Sequence, residues 1–278
     1  MTSLAHGAQH HGDGFAGVLP SAVIVLLLGV YLASAARRRR EPKGWSPWRT
    51  RSFGTGALLL AVALVGPLAS FAETDFRGHM LQHLLIGMLA PLGLVLGAPI
   101  TLLLRSLPAA ERRRVGRVLR SRALHRVANP WTAVTLNVGG LAVLYFTPMY
   151  QITTGNAVLH HLVHVHFLLA GYLLAWVIAG PDPAPERPSV PTRLIVLGVA
   201  IAVHATLSQL MYAGLFTTVP VPANQLRGAA EIMYYGGDIA ELLLAFALVS
   251  TWRPQRRPAS SDRSRTYALV RRFPDVMR

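Results

Sequence analysis

The sequence has no cysteine among its 278 residues. This absence excludes disulfides, thiolate zinc sites, iron–sulfur clusters and thiol redox relays. Any metal that the chain binds must therefore be held by histidine, methionine, carboxylate or backbone oxygen.

Charged residues are also scarce. They make up 14% of the chain, against 52% hydrophobic residues, whereas a soluble domain carries about a quarter charged residues. Apolar runs of about 20 residues recur, and this length crosses a hydrocarbon core of about 30 Å as a helix. We predict an all-α fold, a polytopic membrane protein with a bundle of seven transmembrane helices. The predicted spans are 18–36, 53–71, 79–104, 131–149, 158–179, 194–215 and 230–251.

Acidic residues are few, with 12 Asp and Glu against 27 Lys and Arg. If the segments between spans are assigned alternately to the two sides of the membrane, 25 basic residues fall on one side and only Arg77 and Arg227 on the other. This asymmetry follows the positive-inside rule and predicts an external N-terminus and a cytoplasmic C-terminus. We expect the basic segments to contact anionic lipid headgroups at the cytoplasmic face and not to bind nucleic acid.

The same patterns predict a simple domain organisation. Residues 1–17 form an external histidine-containing tail without the positive segment of a cleavable signal. Residues 18–252 form the transmembrane domain, and residues 253–278 form a basic cytoplasmic tail. The arginine-rich loop 105–130 alternates basic and apolar residues, which favours a helix lying on the cytoplasmic surface.

Histidines are concentrated in two stretches, HMLQH at 79–83 and HHLVHVHF at 160–167. The predicted topology places both at the outer ends of their spans. At about 100° per residue, two residues at i and i+4 project from one stripe of a helix. The pairs His79 with His83 and His160 with His164 have this spacing, which suits two nitrogens that bind one ion. We predict that the two pairs form one site on the non-cytoplasmic side, with four imidazoles on one metal or two on each of two metals.

The neighbours of these pairs bear on the identity of the metal. His161 flanks the stripe of His160 and His164, whereas His166 points away from it. Imidazole suits zinc, copper and iron, and a thioether shifts the preference toward Cu(I). Because Met80 lies next to His79, copper as Cu(I) is favoured, with zinc as the alternative.

The last two spans carry further intramembrane polar residues. His204 and Met211 lie on one face of the sixth span, and Glu231 and Asp238 share a face of the seventh, with Glu241 one turn deeper. Ionisable residues at such depth usually face the bundle interior or a partner. A carboxylate behind an imidazole is a common outer shell of metal sites. We therefore formulate the hypothesis that Asp238 pairs with His204.

Three stretches carry a resemblance to a known family: HMLQHLLIGMLAPLGLVLGAP, HHLVHVHFLLAGYLLAW and NQLRGAAEIMYYGG. Over about residues 50–250 the chain resembles the seven-span CtaG-type cytochrome c oxidase assembly factors. The resemblance implies a non-catalytic protein of the bacterial plasma membrane that matures a haem–copper oxidase by handling copper. Its implied partners are subunits of the oxidase or another copper chaperone.

The resemblance also implies site residues. Its motif in the third span corresponds to His79, Met80 and His83, and its motif in the fifth corresponds to His160 and His164. The segment before the seventh span departs from the family pattern. Asn224 stands where an aspartate is expected, and Tyr234 stands where a tryptophan is expected, so a charged role at position 224 is not implied.

Two other functions stay open from the residues alone. An intramembrane zinc hydrolase would need three ligands and a carboxylate base, for which the histidine pairs and Asp238 are candidates. A b-type haem protein would need single histidines on facing helices, which suits adjacent i, i+4 pairs less well.

Overall fold

The computed structural model describes residues 10–185 and 187–250, with side chains described from residue 20 onward. These residues form thirteen α-helices and one π-helical turn, and none of them forms a strand. The prediction of an all-α fold is therefore confirmed for the described part of the chain. Residues 1–9 and 251–278, which include most of the two predicted tails, lie outside it. The helices are α1 His10–Arg39, α2 Pro47–Leu64, α3 Pro67–Thr74, α4 Phe76–Leu84, the π-helical turn Leu85–Leu89, α5 Ala90–Leu96, α6 Pro99–Ser106, α7 Ala109–Leu119, α8 Arg122–Val127, α9 Pro130–Phe146, α10 Met149–Thr154, α11 Ala157–Ala179, α12 Val190–Tyr212 and α13 Ala223–Ser250.

Five stretches of helix are long and apolar enough to cross a membrane, and α2 with α3 would make a sixth if the bent pair is one span. The predicted fourth span is the short apolar helix α9, whose 17 residues lie at the lower limit of the length of a span. It ends at Phe146 because Thr147 is extended before Pro148. The count of seven spans and the orientation therefore remain predictions. The five stretches are Pro20–Arg39, Phe76–Leu96, Ala157–Ala179, Val190–Tyr212 and Ala223–Ser250.

Two breaks in the apolar runs follow from local sequence. The axis bends by 47° between α2 and α3, where Gly66 has a φ of 83° before Pro67. The run 79–104 does not continue as one helix, because Ala98 adopts a left-handed φ of 52° before Pro99 starts α6. The third predicted span therefore ends at Leu96. The arginine-rich loop forms α7 and α8, neither of which has a buried residue.

The stretch Phe76–Leu96 is the most deeply buried of the candidate spans. Helix α4 packs against α3 and α13, and the π-helical turn and α5 pack against α11. Large apolar side chains on the outer faces of other helices are exposed, for example Val25 and Leu242, as expected for surfaces in contact with lipid. The motif HMLQH thus lies on a buried helix, near the N-terminal end of this stretch.

Candidate metal centre

Four histidines from two helices meet in the interior of the bundle. Along α4 the ring centroids of His79 and His83 lie 4.2 Å apart, and along α11 those of His160 and His164 lie 4.4 Å apart. Between the two helices, the ring centroids of His79 and His160 lie 5.9 Å apart, and those of His83 and His164 lie 5.1 Å apart. We call these four residues the histidine cluster. The structure therefore brings together the two pairs that sequence spacing assigned to one site.

The two histidines of α4 are closed off from the surface, whereas His160 and His164 of α11 are half-buried. His79 and His83 are 4% and 3% exposed. The buried Nε2 atoms of His79 and His164 and both ring nitrogens of His83 have no hydrogen-bond partner among the described residues. A buried polar atom without a partner costs about 1–3 kcal/mol, and a neutral imidazole offers one lone pair to a metal ion.

The cluster is a set of donors rather than a formed coordination sphere. No three His, Asp or Glu side chains within 10–185 and 187–250 have the mutual placement of a metal site. Rotation of the side chains is needed before the nitrogens converge on one ion. The unpaired buried nitrogens nevertheless fit a cation of the kind that imidazole binds.

Aromatic side chains enclose one end of the cluster. The ring centroids of Phe76 and Tyr150 lie 5.7 and 5.2 Å from that of His79, and Tyr145 lies 6.2 Å from it. Tyr145 is fully buried and its hydroxyl has no partner among the described residues. Burial raises the pKa of the Tyr150 hydroxyl above its ordinary value. Sequence reasoning missed both tyrosines, although the segment YFTPMY carries them beside the predicted outer end of a span.

The first turn of α4 is fixed by two side chains that accept hydrogen bonds. Asp75 is the N-cap, and its carboxylate accepts from the backbone N–H of Arg77 at 2.8 Å. Gln225, from α13, accepts from the backbone N–H of Phe76 at 3.1 Å. The hydrogen bond from the Arg77 guanidinium also holds the pKa of the Asp75 carboxyl below its ordinary value. These contacts satisfy amide groups that a helix N-terminus leaves free.

Two close contacts set the position of α4 relative to its neighbours. The Gln82 amide donates to the Ala63 carbonyl at 2.8 Å, which ties α4 to α2. A Cβ atom at Gly171 would lie 1.9 Å from the Gly87 carbonyl oxygen. Only glycine at this crossing lets α11 approach the π-helical turn, and this approach brings the two histidine pairs together.

The other histidines of α11 lie outside the cluster. His161 is exposed, and its Nδ1 lies 2.6 Å from the Ala157 carbonyl, which can only accept. Its ring centroid is 6.5 Å from that of His164. His166 is exposed and packs against Gly140 of α9. His161 is therefore a peripheral neighbour, and His166 faces away from the cluster.

The remaining predicted residues are distributed over the bundle. Met80 is buried and lines an interior cavity together with His83. Met211 is fully buried in the same apolar core as Met80. Glu231 is exposed beside a groove between α12 and α13. Asn224 is exposed in the first turn of α13.

The hypothesis that Asp238 pairs with His204 is wrong in its choice of carboxylate. His204 Nδ1 lies 3.3 Å from Glu241 Oε1, and both residues are 4% exposed. Asp238 lies one turn earlier on α13 and is half-buried. The helical wheel of α13 correctly suggests an acidic partner, but the rotation of α13 against α12 selects Glu241.

Comparison with known proteins gives a family and distant relatives. Residues 29–255 match the model of the cytochrome c oxidase caa3 assembly factor family. Uncharacterized proteins from Mycobacterium bovis and Mycobacterium tuberculosis are each 31% identical over 270 residues, which cover 89% of this chain and 40% of the relative. An uncharacterized protein from Mycobacterium leprae is 29% identical over 261 residues, which cover 87% of this chain and 39% of the relative. The chain thus spans about 40% of the length of these relatives. No solved structure matches it.

Proposed function

This chain belongs to the cytochrome c oxidase caa3 assembly factor family, and we propose that it binds copper at the histidine cluster and delivers it to a haem–copper oxidase. In this role copper is the cargo, and no covalent chemistry on a substrate is required. The partners are oxidase subunits that accept copper or a chaperone that supplies it. The protein resides in the bacterial plasma membrane.

One observation carries this proposal. Ring nitrogens of His79, His83 and His164 are buried without hydrogen-bond partners among the described residues. A carboxylate that accepts a hydrogen bond from an imidazole strengthens metal binding by that imidazole. A site that must release its metal therefore benefits from imidazoles that lie close together but have no carboxylate partner. The hydrolase alternative needs a carboxylate base beside its metal, and the unpaired nitrogens have no carboxylate partner.

The choice of copper rests on the surroundings of the cluster. The chain offers no thiolate, so a soft ligand must be a methionine. Met80 follows His79 directly and lines the cavity that His83 also lines. Imidazole with nearby thioether favours Cu(I) over zinc. The aromatic wall of Phe76, Tyr145 and Tyr150 keeps one side of the cluster apolar, which suits a monovalent ion better than a divalent one.

The proposed orientation places the cluster on the non-cytoplasmic side. Both histidine pairs lie near the N-terminal ends of their helices, α4 and α11. The loop Arg105–Arg126, which carries eight basic residues, lies beyond the opposite end of the α4–α6 stretch. By the positive-inside rule that loop is cytoplasmic. The cluster then lies at the non-cytoplasmic side of the membrane.

The test is the double substitution His79→Ala with His83→Ala, expressed in a strain that lacks the native protein. We expect the terminal oxidase to lose copper and activity, because two of the four donors are gone. The matched control is His166→Ala, which removes an exposed imidazole of α11 outside the cluster. Both variants are quantified in the membrane fraction so that loss of the protein itself is recognised.

Normal copper content and activity of the oxidase in the double variant would refute the proposed role. Metal analysis of the purified protein separates the alternatives. Copper that is lost in the double variant and kept in the control supports the proposal, zinc in its place favours the hydrolase, and a Soret absorption band would establish a haem protein.

A further inference from the structure

Two small cavities lie between the histidine cluster and the centre of the bundle. Each has a volume of about 20 Å³, which is room for about one water-sized occupant. His83 of the cluster lines the first cavity, and His204 lines it as well. The second cavity shares three lining residues with the first and is also lined by Glu241. The shared residues are Gly87, Met88 and Asn137.

The first cavity has an unusual lining for the interior of a membrane protein. Met80, Met88 and Met233 contribute three thioethers beside the two imidazoles. Met80 and Met233 are each 2% exposed, so these two side chains do not contact lipid or bulk water. Three of the seven methionines of the chain thus line one cavity of about 20 Å³.

The pair of His204 and Glu241 adds a carboxyl group at the inner end. His204 Nδ1 lies 3.3 Å from Glu241 Oε1, and the tautomer that donates from Nδ1 to a carboxylate leaves the lone pair on Nε2. Glu241 Oε2 is buried and has no hydrogen-bond partner among the described residues. No Lys or Arg lines either cavity. A carboxyl oxygen without a partner in an apolar interior, with no cationic side chain lining the cavity, favours a bound cation.

The backbone is built to make room at this position. A Cβ atom at Gly237 would lie 2.1 Å from Cε1 of His204, so glycine is needed for the imidazole to reach its place against α13. The π-helical turn Leu85–Leu89 contains Gly87 and Met88, which line both cavities. Single π-helical turns occur frequently at functional sites, where they redirect a side chain.

We propose that Met80, Met88, Met233 and His204, with Glu241 behind the imidazole, form an interior Cu(I) site that adjoins the histidine cluster through His83. This inference rests on the proposed function and adds a second copper position to it. Thioether and imidazole ligands select Cu(I), and the carboxylate that accepts from Nδ1 raises the basicity of the imidazole. Copper passes between the two positions by ligand exchange at His83, without a change of oxidation state.

The test is Cu(I) binding to the purified full chain in detergent under anaerobic conditions, with a chromophoric chelator as competitor. We expect the wild type to bind one equivalent more than the variant with Met88→Leu and Met233→Leu. X-ray absorption spectra should show more sulfur ligands in the wild type than in this variant, which keeps Met80. Exchange of methionine for leucine nearly conserves volume, so the fold is retained.

Two further variants make the test specific. Glu241→Gln replaces the carboxyl group behind His204 with an amide and should weaken the second equivalent at least about tenfold. Met211→Leu is the control, because Met211 is fully buried but lines neither cavity. It should bind copper like the wild type.

The outcomes separate this inference from the proposed function. If the wild type binds no Cu(I), both fail. If His79→Ala with His160→Ala lowers the copper bound, while the double methionine variant keeps full binding and an unchanged sulfur signal, the interior site is refuted and the proposed function stands. Loss of one equivalent and a weaker sulfur signal in the double methionine variant support the interior site.

Discussion

The ring centroids of His83 on α4 and His164 on α11 lie 5.1 Å apart, with the two rings edge to face. Neither Nε2 atom has a hydrogen-bond partner among the described residues. His83 also lies 4.2 Å from His79, and its distance to His164 is the shorter of the two between the helices, since His79 lies 5.9 Å from His160. The position of each imidazole in the cluster predicts how much its loss should weaken metal binding.

We predict that His83→Ala lowers the Cu(I) affinity of the outer site far more than His161→Ala does. His83 is buried with two unpaired nitrogens, whereas His161 is exposed and its Nδ1–H donates to the Ala157 carbonyl. The expected loss is at least about tenfold for His83→Ala and less than about threefold for His161→Ala. Competition with a Cu(I) chelator measures both. Equal losses in the two variants would contradict the central position of His83.

Gln225 is predicted to stabilise the first turn of α4 from α13. Its Oε1 accepts from the Phe76 N–H at 3.1 Å, and one such hydrogen bond contributes about 0.5–1.5 kcal/mol. Gln225→Ala should therefore lower the thermal stability of the purified protein. Gln225→Glu should restore it, because a carboxylate keeps the acceptor and is favoured at a helix N-terminus.

The adjacent amide gives the control for this prediction. Asn224 is exposed at the start of α13, and Asn224→Ala should leave the melting temperature unchanged. If Asn224→Ala destabilises the protein as much as Gln225→Ala does, the effect belongs to the N-terminus of α13 and not to the contact with α4.

Tyr145→Phe is predicted to raise the stability of the metal-free protein slightly. The Tyr145 hydroxyl is fully buried and has no hydrogen-bond partner among the described residues. Its removal relieves an unsatisfied group, which is worth up to about 1 kcal/mol. The ring remains and still packs against His79. A lower melting temperature in the metal-free protein would show that the hydroxyl has a partner after all.

The histidine cluster could be anticipated from sequence for a definite physical reason. The i, i+4 spacing fixes which face of a helix carries His79 and His83, and alternating topology puts the two histidine-rich stretches at the same depth. The partner of His204 could not be anticipated, because periodicity does not give the rotation of α13 against α12. The same limit hid Tyr145 and Tyr150, whose contact with His79 depends on how α9 and α10 pack against α4.

The interior cavities were also beyond sequence reasoning. Regular helical geometry predicts no π-helical turn at Leu85–Leu89, and this turn sets the direction of Met88. The apolar run 131–149 was long enough in sequence to suggest a span. Thr147 and Pro148 nevertheless end the helix after 17 residues. Chain breaks of this kind are set by local backbone preferences that hydropathy does not measure.

The close approach of Gly171 to the π-helical turn gives the sharpest test of the assembly of the cluster. A Cβ atom at this position would lie 1.9 Å from the Gly87 carbonyl oxygen, and backbone cannot yield as a flexible side chain does. Gly171→Ala should therefore push α11 away from the third span and cost about 1–3 kcal/mol or more.

The same displacement would move His160 and His164 away from His79 and His83, so Gly171→Ala should weaken Cu(I) binding along with stability. The matched control is Gly139→Ala on α9, where no atom lies within 4 Å of the added Cβ. Because alanine favours a helix over glycine by about 1 kcal/mol, Gly139→Ala should be neutral or stabilising and should bind copper normally. Chelator competition and thermal unfolding measure both effects. Wild-type copper affinity in a Gly171→Ala protein that is clearly destabilised would mean that the cluster forms without this helix contact.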